Sequence, residues 1–308
     1  MKRNAWVELY RFLFTVSVFL FHLFSYFEIQ PEMYHGGFLS VEFFFLVSGC
    51  FLAKSVRSHM EQASFSDAAT YVGTYVRSRL LRLYPLYFIA LCLALVAKKI
   101  SFDPSFIGIR RWLFENYAEF LMLQWTPLGK EVLLSPLWFV PALFFAGLLL
   151  TAIAVLFRTH LRLYGLVLCP VCFLGIYGYY FVTIGKIDVI FSYHCLLRGL
   201  AGVSLGWFLF ELLNALHAFD TNEKKKGKKL PFFLLSNLVL IAILIYENFA
   251  HRDRFNFLVI AGFAVGFAFL LIGSVEPSEK KAKLLCLLGS LTYPIYVFHM
   301  PLFHLIRA

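Results

Sequence analysis

The feature that most constrains this chain is a series of apolar segments, each close to the length that crosses a membrane. Crossing a hydrocarbon core of about 30 Å takes about 20 residues of α-helix, because each residue advances the helix by about 1.5 Å. Ten such segments cover residues 6–27, 38–54, 80–97, 106–126, 137–157, 163–184, 189–213, 230–247, 255–274 and 284–306. The sequence therefore predicts an all-α, polytopic bundle of about ten membrane helices, in a single domain over residues 1–308.

Composition excludes the water-soluble classes of protein. Hydrophobic residues make up 60% of the 308 residues and charged residues 15%, against about 25% charged in an ordinary soluble domain. The net charge of +10, from 28 Lys and Arg against 18 Asp and Glu, lies mainly in short loops between the apolar segments. Retention on the cytoplasmic side and contact with anionic lipids explain this charge better than nucleic-acid binding does. We expect no nucleic-acid partner.

The number of membrane spans is open at one segment. Residues 106–126 contain Glu115 and Glu119, so this segment would suit the membrane interface, which leaves nine spans. With nine spans and the N-terminus inside, all the strongly basic loops face the cytoplasm, as the positive-inside rule requires. These loops are residues 54–79, the turn with Arg158 and Arg162, and residues 224–229 and 280–283. With ten spans the last three would lie outside.

Two ionisable residues, Arg11 and His22, lie inside the first apolar segment. They are 11 residues apart, so they lie within about 20° of each other around the helix and about 16 Å apart along it. The same face carries Glu8, Thr15 and Ser25. Because an ionisable residue in lipid costs about 2.5–3.5 kcal/mol, this polar stripe predicts a hydrated cavity inside the bundle. In the alternative interpretation, Arg11 reaches the headgroups and His22 hydrogen-bonds a neighbouring helix.

Other ionisable residues follow in later segments. Glu42 in the second segment requires a proton, a cation or water as its partner. Arg79 and Arg82 share a helix face at a membrane boundary, where two guanidinium groups could hold phosphates. The alternative for this pair is a positive-inside anchor. Further ionisable residues in apolar segments are His194, Arg198 and His299.

The cysteines give no sign of a metal site. All six lie in apolar segments, where cysteine behaves as a small buried hydrophobe. Cys169 and Cys172 form a lone C-x-x-C motif with no second pair, so we expect no bound metal.

Taken in order, five motifs of the chain resemble the acyltransferase-3 family of multi-span membrane acyltransferases, many of which O-acetylate bacterial surface polysaccharides. The motifs are Arg11-x10-His22, Gly37-x3-Val41-Glu42-Phe43-Phe44-Phe45-x2-Ser48-Gly49, Arg79-x2-Arg82-x2-Pro85, Arg198 followed by a Gly206 block, and Gly289-Ser290-Leu291-Thr292-Tyr293-Pro294-Ile295-Tyr296-x2-His299-x-Pro301. The resemblance implies ten spans with both ends in the cytoplasm, in conflict with the loop charges.

The chain departs from the family pattern in two places. Many members have a Trp-Ser-Leu-x-x-Glu block in mid-chain, whereas this sequence has residues 135–142, Ser-Pro-Leu-Trp-Phe-Val-Pro-Ala, without the glutamate. The last apolar segment ends close to Ala308, so we expect no appended esterase-like domain. If transfer needs a second catalytic module, we expect another chain to supply it.

The resemblance implies an enzyme of the bacterial inner membrane. Its expected reaction moves an acyl group, with acetyl as the first choice, from acyl-CoA to a hydroxyl of a cell-surface glycan or its lipid-linked precursor. Acetyl-CoA is a donor substrate here and no cofactor is expected to stay bound; the remaining partners are the glycan or glycolipid acceptor and the bilayer. Succinyl transfer, a non-glycan acceptor and a multi-span transporter are the alternatives, since a polar stripe and midplane charges also suit transport.

The resemblance and the residue chemistry together assign roles. His22 is the expected general base, because an imidazole with a pKa of about 6.5 can take a hydroxyl proton at neutral pH. Arg11 and the Arg79/Arg82 pair are expected to bind the phosphates of the donor. The full expected set is His22, Arg11 and Glu42 as catalytic residues and Arg79, Arg82, Arg198, Tyr296 and His299 as substrate-binding residues. Glu42 is expected to orient His22 or to bind acceptor hydroxyls. No nucleophile elbow or Cys-His pair is visible, which favours direct transfer while leaving an acyl-histidine open.

Overall fold

The computed structural model of this chain describes residues 4–29, 33–61, 63–101, 106–126, 133–190, 192–216, 229–273 and 275–307. These residues form helices joined by short connections, and none of them lies in a β-strand. The predicted all-α polytopic bundle is confirmed.

Twelve α-helices follow one another along the described chain. They are α1 (Ala5–Phe27), α2 (Ser40–Met60), α3 (Phe65–Ser101), α4 (Phe106–Glu115), α5 (Tyr117–Phe120), α6 (Phe139–Leu156), α7 (Leu161–Leu163), α8 (Cys169–Tyr179), α9 (His194–Ala215), α10 (Lys229–Tyr246), α11 (Asn256–Gly273) and α12 (Glu279–Arg307). Residues 158–184 form one continuous helical run, in which α7 and α8 are joined and followed by the π-helical stretches Tyr164–Leu168 and Tyr180–Ile184. Short 3₁₀ turns, Gly37–Leu39 and Ser135–Trp138, precede α2 and α6.

Nine helices of the described chain are long and apolar enough to cross a membrane. The segment at residues 106–126 is not among them, because it forms α4 and α5, of 10 and 4 residues. Its carboxylate Glu119 is buried and accepts hydrogen bonds from the backbone N–H groups of Leu133 and Leu134, at 2.5 and 3.1 Å. This contact ties the segment to the chain before α6. The described residues thus show the lower of the two span counts.

The direction of the first and last helices requires an odd number of spans. At one end, the Trp6 indole N–H donates to the Val275 carbonyl at 2.7 Å, just before α12 begins. At the other end, the Tyr26 hydroxyl lies 3.0 Å from Nδ1 of His304. Since α1 and α12 therefore run parallel, the start of α1 and the end of α12 lie on opposite faces. The arrangement of ten spans with both ends on one face, which the resemblance implied, is corrected accordingly.

The basic segments that the structure describes share one face of the bundle. Gly37 lies against Ser17 and Phe21 in the second half of α1, so α2 ends on the face where α1 begins. There, Arg57 pairs with Glu211 near the end of α9. Residues 280–283 open α12 on the same face, whereas residues 224–228 lie outside the described residues. The positive-inside rule assigns this face to the cytoplasm, and we call the other the extracytoplasmic face.

Helices α2 and α9 cross at very close range in the centre of the bundle. A Cβ atom on Gly49 would overlap the carbonyl oxygen of Val203, and one on Gly206 would overlap the carbonyl oxygen of Leu46. Small residues that let two backbones touch are the usual means of packing membrane helices, since lipid supplies no hydrophobic force between them. The crossing fixes α2, which carries Glu42, against α9, which carries Arg198.

Substituting alanine at this crossing is expected to destabilise the bundle. Gly206→Ala should cost about 1–3 kcal/mol, because the backbone of α2 cannot move away without separating the two helices. Gly175→Ala in α8 is the matched control, since a Cβ there meets no atom within 4 Å. The thermal midpoint of each purified variant in detergent measures the effect. An equal midpoint for Gly206→Ala and wild type would contradict this packing.

Candidate active site

Five helices contact one another in a closed ring, and three of them carry candidate site residues. Helix α1 contacts α12, α12 contacts α3, α3 contacts α6, α6 contacts α2, and α2 returns to α1. Helix α9 packs outside this ring against α2 and α6. His22 and Arg11 lie on α1, His299 and Tyr296 on α12, and Glu42 on α2. The fold therefore brings residues from both ends of the chain to one place.

A pair of histidines forms the centre of the site. His22 on α1 and His299 on α12 have ring centroids 4.9 Å apart, with an angle of 42° between the rings. Nδ1 of His22 lies 2.9 Å from the Val18 carbonyl oxygen, and Nδ1 of His299 lies 2.7 Å from that of Tyr296. A carbonyl oxygen can only accept, so in the neutral rings each Nδ1 carries the hydrogen and each Nε2 presents a lone pair.

The second nitrogen of this pair is ready for a ligand. His299 is buried, and its Nε2 atom has no hydrogen-bond partner among the described residues. Aromatic rings lie close to the pair. The ring centroid of Phe21 is 4.9 Å from that of His22, and the centroids of Phe19 and Phe303 are 6.3 and 5.7 Å from that of His299. These rings give the buried Nε2 of His299 largely apolar surroundings. Sequence reasoning named both histidines but could not pair them, because 277 positions separate them.

Two tyrosines of α12 hold the helix that carries His299. The Tyr293 hydroxyl donates to the Leu83 carbonyl of α3 at 2.6 Å, and the Tyr296 hydroxyl donates to the Pro136 carbonyl just before α6. Tyr296 was expected to bind substrate. Its hydroxyl is bonded to the backbone instead, so in this structure the residue positions α12.

Arg11 lies in the cytoplasmic half of α1 and pairs with Glu8, at 2.8 Å, one turn earlier. Glu8 is buried against Gly289 of α12, where a Cβ would overlap the carboxylate. Because His22 also contacts α12, the polar stripe predicted for α1 does face another helix at Glu8 and His22. The charge of Arg11 is thus balanced within its own helix.

Glu42 and Arg198 form a fully buried ion pair, with 2% and 0% of their surfaces exposed. Nε of Arg198 donates to Oε1 of Glu42 at 3.0 Å, and the Tyr177 hydroxyl donates to Oε2 at 2.8 Å. The Arg198 guanidinium also lies over the Trp138 ring, 4.7 Å from its centre. The partners found for Glu42 are therefore Arg198 and Tyr177, in place of the predicted His22.

The ion pair continues to the extracytoplasmic face. Nη1 of Arg198 lies 3.5 Å from Asp188, whose other oxygen lies 2.7 Å from Nε of Arg252. Arg252 lines a cleft of about 340 Å³, together with Phe21 and Ser25 of α1. Sequence reasoning missed Asp188 and Arg252; the available signal was an acidic residue directly before the apolar segment 189–213. The cleft therefore lies next to Phe21, which directly precedes His22, and Ser25, which follows it by three residues.

Arg79 and Arg82 lie on α3, the helix of the ring that contacts both α12 and α6. The Arg79 guanidinium is 5.5 Å from the centre of the Tyr75 ring, and Tyr75 bonds to the Phe144 carbonyl of α6. Arg82 is exposed, and its charge acts on the Tyr293 hydroxyl of α12. Arg79 therefore lies beside a contact of α3 with α6, and Arg82 lies near Tyr293 of α12.

A buried carboxyl group, Glu247, joins the helices that carry His22 and Glu42. It lies directly after α10 and accepts hydrogen bonds from Ser17 of α1 and from Ser40 of α2, the latter at 2.8 Å. Its carbonyl oxygen accepts the Gly36 N–H at 2.7 Å. Burial raises the pKa of Glu247 from 4.5 to about 8, although the two serine hydrogen bonds partly oppose that shift.

The raised pKa of Glu247 predicts a pH-dependent stability. Below pH 4.5 the carboxyl is protonated in both the folded and the unfolded chain, and its contribution is complete. Between pH 4.5 and about 8 the unfolded chain loses this proton first, so stability falls as pH rises. Glu247→Gln should remove this decline, whereas the exposed control Glu279→Gln should keep it. Thermal midpoints between pH 5 and 8 measure it, and an unchanged slope in Glu247→Gln would assign the decline to another group.

No group of three or more His, Cys, Asp or Glu side chains in the described part of the chain is arranged to hold a metal ion. All six cysteines are free thiols.

The family model for an acyltransferase domain, Acyl_transf_3, matches residues 4–308 of this chain. The chain belongs to the acyltransferase-3 family. The resemblance seen in the sequence motifs is confirmed, and the protein is a multi-pass membrane acyltransferase. No curated protein and no solved structure matches the chain. In this acyltransferase, the motif residues Arg11, His22, Glu42 and His299 lie on helices α1, α2 and α12 of the ring described above.

Proposed function

We propose that this acyltransferase moves an acyl group, acetyl in the first place, from acyl-CoA to a hydroxyl of a cell-surface glycan or its lipid-linked precursor in the inner membrane of a bacterium. The observation that carries the proposal is the histidine pair, with an Nε2 lone pair on His22 and an open, buried Nε2 on His299. A base in a water-poor site is what transfer to a hydroxyl needs, because water would otherwise compete as the acceptor.

The proposed step is direct transfer. Nε2 of His22 takes the proton of the acceptor hydroxyl while that oxygen attacks the thioester carbonyl carbon. A carbon–oxygen ester bond forms and the carbon–sulfur bond breaks. CoA leaves as a thiolate, which takes the proton back from His22. A positioned general base contributes about 10²–10⁴ to such a rate.

His299 assists the same proton transfer. Once His22 is protonated, its Nε2–H can donate to a lone-pair acceptor. Nε2 of His299 has no hydrogen-bond partner among the described residues, and the two ring centroids are 4.9 Å apart. This contact stabilises the imidazolium in surroundings that are otherwise aromatic. Tyr293 and Tyr296, which bond to backbone carbonyls of neighbouring elements, position His299 for this role.

The donor is proposed to enter from the cytoplasmic face, where Arg11, Arg79 and Arg82 lie. Guanidinium groups bind phosphates through paired, charge-assisted hydrogen bonds, and the nucleotide end of CoA carries several phosphates. Arg11 is about 16 Å from His22 along α1, so the extended pantetheine arm of CoA would bridge the two levels.

The acceptor is proposed to enter from the extracytoplasmic face, through the cleft that Arg252 and Ser25 line. Glu42 and Arg198 lie at the inner end of the ionic chain that starts at Arg252. Since both oxygens of Glu42 already have partners, we assign this pair to positioning the acceptor side of the site.

Removing either arginine of α3 is expected to weaken donor binding. Arg79→Ala and Arg82→Ala should each raise KM for acyl-CoA about 10- to 100-fold, because a hydrogen bond to a charged group contributes about 1.5–3 kcal/mol. kcat should change much less. Arg77→Ala on the same helix is the matched control, since Arg77 is exposed and outside the motif. An unchanged KM in both variants would mean that the pair only anchors α3 at the membrane boundary.

The function itself is tested with the purified protein in lipid nanodiscs. Radiolabel should pass from acetyl-CoA to an added glycan or glycolipid fraction, and succinyl-CoA serves as the competing donor. In cells, deleting the gene should remove an O-acyl resonance from the NMR spectrum of the surface glycan. Uptake or exchange of a solute without acyl-CoA, together with no label transfer, would favour a transporter and contradict the proposal.

A further inference from the structure

A second charged cleft lies on the cytoplasmic face, away from the histidine pair. Its volume is about 580 Å³, and it opens between the end of α2 and the start of the helical run 158–184. Arg57, Arg158 and Arg162 line it together with Glu61 and His160. Helix α8 packs on α9, whereas the histidines lie between α1 and α12. The cleft therefore belongs to a different side of the bundle.

The cleft carries an excess of positive charge. Arg57 is balanced by Glu61, at 3.0 Å, and by Glu211. Arg158 lies over the Phe65 ring at 5.3 Å, and its Nε atom is buried without a hydrogen-bond partner among the described residues. Arg162 is exposed and acts on Glu211 only through space. A buried donor left unpaired costs about 1–3 kcal/mol, so the cleft is built to receive an acceptor group.

Apolar side chains extend from the cleft along the membrane surface of the protein. Leu163 and Val167, one turn apart, line the cleft and remain 53% and 48% exposed. Only 11% of the apolar window in the run 158–184 is buried inside the protein, so most of this run faces lipid. A basic group at headgroup level above an exposed apolar strip matches the shape of a phospholipid.

We propose that this cleft binds the phosphate group of an anionic phospholipid from the cytoplasmic leaflet. The phosphate would accept hydrogen bonds from Arg158 and Arg162, and one acyl chain would lie along Leu163 and Val167. Basic pockets between membrane helices on this side are known to suit such headgroups. A free phosphate or the phosphates of CoA share the headgroup chemistry but leave the apolar strip uncovered. The site does not depend on the function proposed above.

Native mass spectrometry of the purified full-length protein tests the site. Phosphatidylglycerol and phosphatidylcholine with identical acyl chains are titrated in turn against wild type and Arg158→Gln/Arg162→Gln. Each charge near the membrane surface contributes about fivefold, so the double variant should bind phosphatidylglycerol about 25-fold more weakly. Phosphatidylcholine, whose phosphate charge is offset by its choline group, should bind wild type more weakly than phosphatidylglycerol does and lose less in the double variant. Lys280→Gln/Lys281→Gln, which neutralises two exposed lysines on the same face, is the matched control and should bind like wild type.

Several outcomes would overturn the proposal. Equal phosphatidylglycerol binding by wild type and the double variant would do so, as would an equal loss in the lysine control. Displacement of bound lipid by millimolar inorganic phosphate or by CoA would assign the cleft to a soluble anion instead. If the double variant does not fold, Arg162→Gln decides, because that side chain is exposed; it should lose about fivefold.

Discussion

His22→Gln is expected to lower kcat for acyl transfer by about 10²–10⁴, because it removes the base that takes the hydroxyl proton. Glutamine is similar in size, so α1 should keep its contacts with α12. The measurement is release of CoA from acetyl-CoA in the presence of acceptor, by protein in nanodiscs. KM for acetyl-CoA should stay near its wild-type value, since the phosphate-binding arginines are untouched. A His22→Gln protein that works at the wild-type rate would disprove the assignment of the base.

The histidine pair supplies the internal controls for this result. His59→Gln removes an exposed histidine near the cytoplasmic end of α2 and should leave kcat unchanged. His299→Gln should lower kcat by a smaller factor than His22→Gln. Because the two residues are proposed to act in one proton transfer, the double variant should be little worse than His22→Gln alone. Independent, multiplying losses would mean that His299 serves another step.

Glu42→Ala is expected to cost about 3–5 kcal/mol of stability, because it leaves the Arg198 guanidinium buried without its main counter-charge. Asp188 makes a longer contact with Arg198, at 3.5 Å, and its other oxygen lies 2.7 Å from Nε of Arg252, so it replaces Glu42 only in part. Thermal unfolding and the yield of monodisperse protein measure the loss. Glu42→Leu/Arg198→Met should recover most of it, since no unpaired charge then remains. The matched control is Glu279→Ala, which breaks an exposed ion pair with Lys283 and should cost at most about 1 kcal/mol.

This experiment also separates a structural from a chemical role for Glu42. If the pair positions the acceptor side of the site, stability and activity should fall together in Glu42→Ala. A Glu42→Ala protein that folds as well as wild type but has lost transfer would place the carboxylate in the reaction itself. That outcome would contradict the role of Glu42 proposed here.

The first helix shows how far the sequence leads. The spacing of Arg11 and His22 predicts one shared face, because helical geometry is local and repeats every 3.6 residues. The structure places Glu8 and His22 of that face against α12. The partner of His22, however, is His299, which only the parallel packing of α1 and α12 brings near. The sequence predicts a carboxylate such as Glu42 as the partner of His22. Helix α2 instead directs Glu42 toward α9, because the close packing at Gly49 and Gly206 fixes the contact between α2 and α9.

The segment at residues 106–126 shows where hydropathy misleads. Its apolar content suggested a span, but Glu119 bonds to the backbone of Leu133 and Leu134 and holds the segment as two short helices. Loop charge gave the better count, since it depends on which face of the membrane a loop occupies and not on the content of one segment.

The sequence by itself determined that this chain is a helical membrane acyltransferase. It also determined that Arg11 and His22 lie in the first membrane helix and that Arg79 and Arg82 lie in the next one but one. Hydropathy, helical spacing and motif order are properties of neighbouring residues or of their order, so they can be read without a fold. Only the tertiary structure decided that His22 meets His299, that Glu42 meets Arg198 and that the start of α1 and the end of α12 lie on opposite faces. Each of these features depends on helices that are far apart in the sequence but pack side by side. The close fit of their surfaces decides which helices pack together.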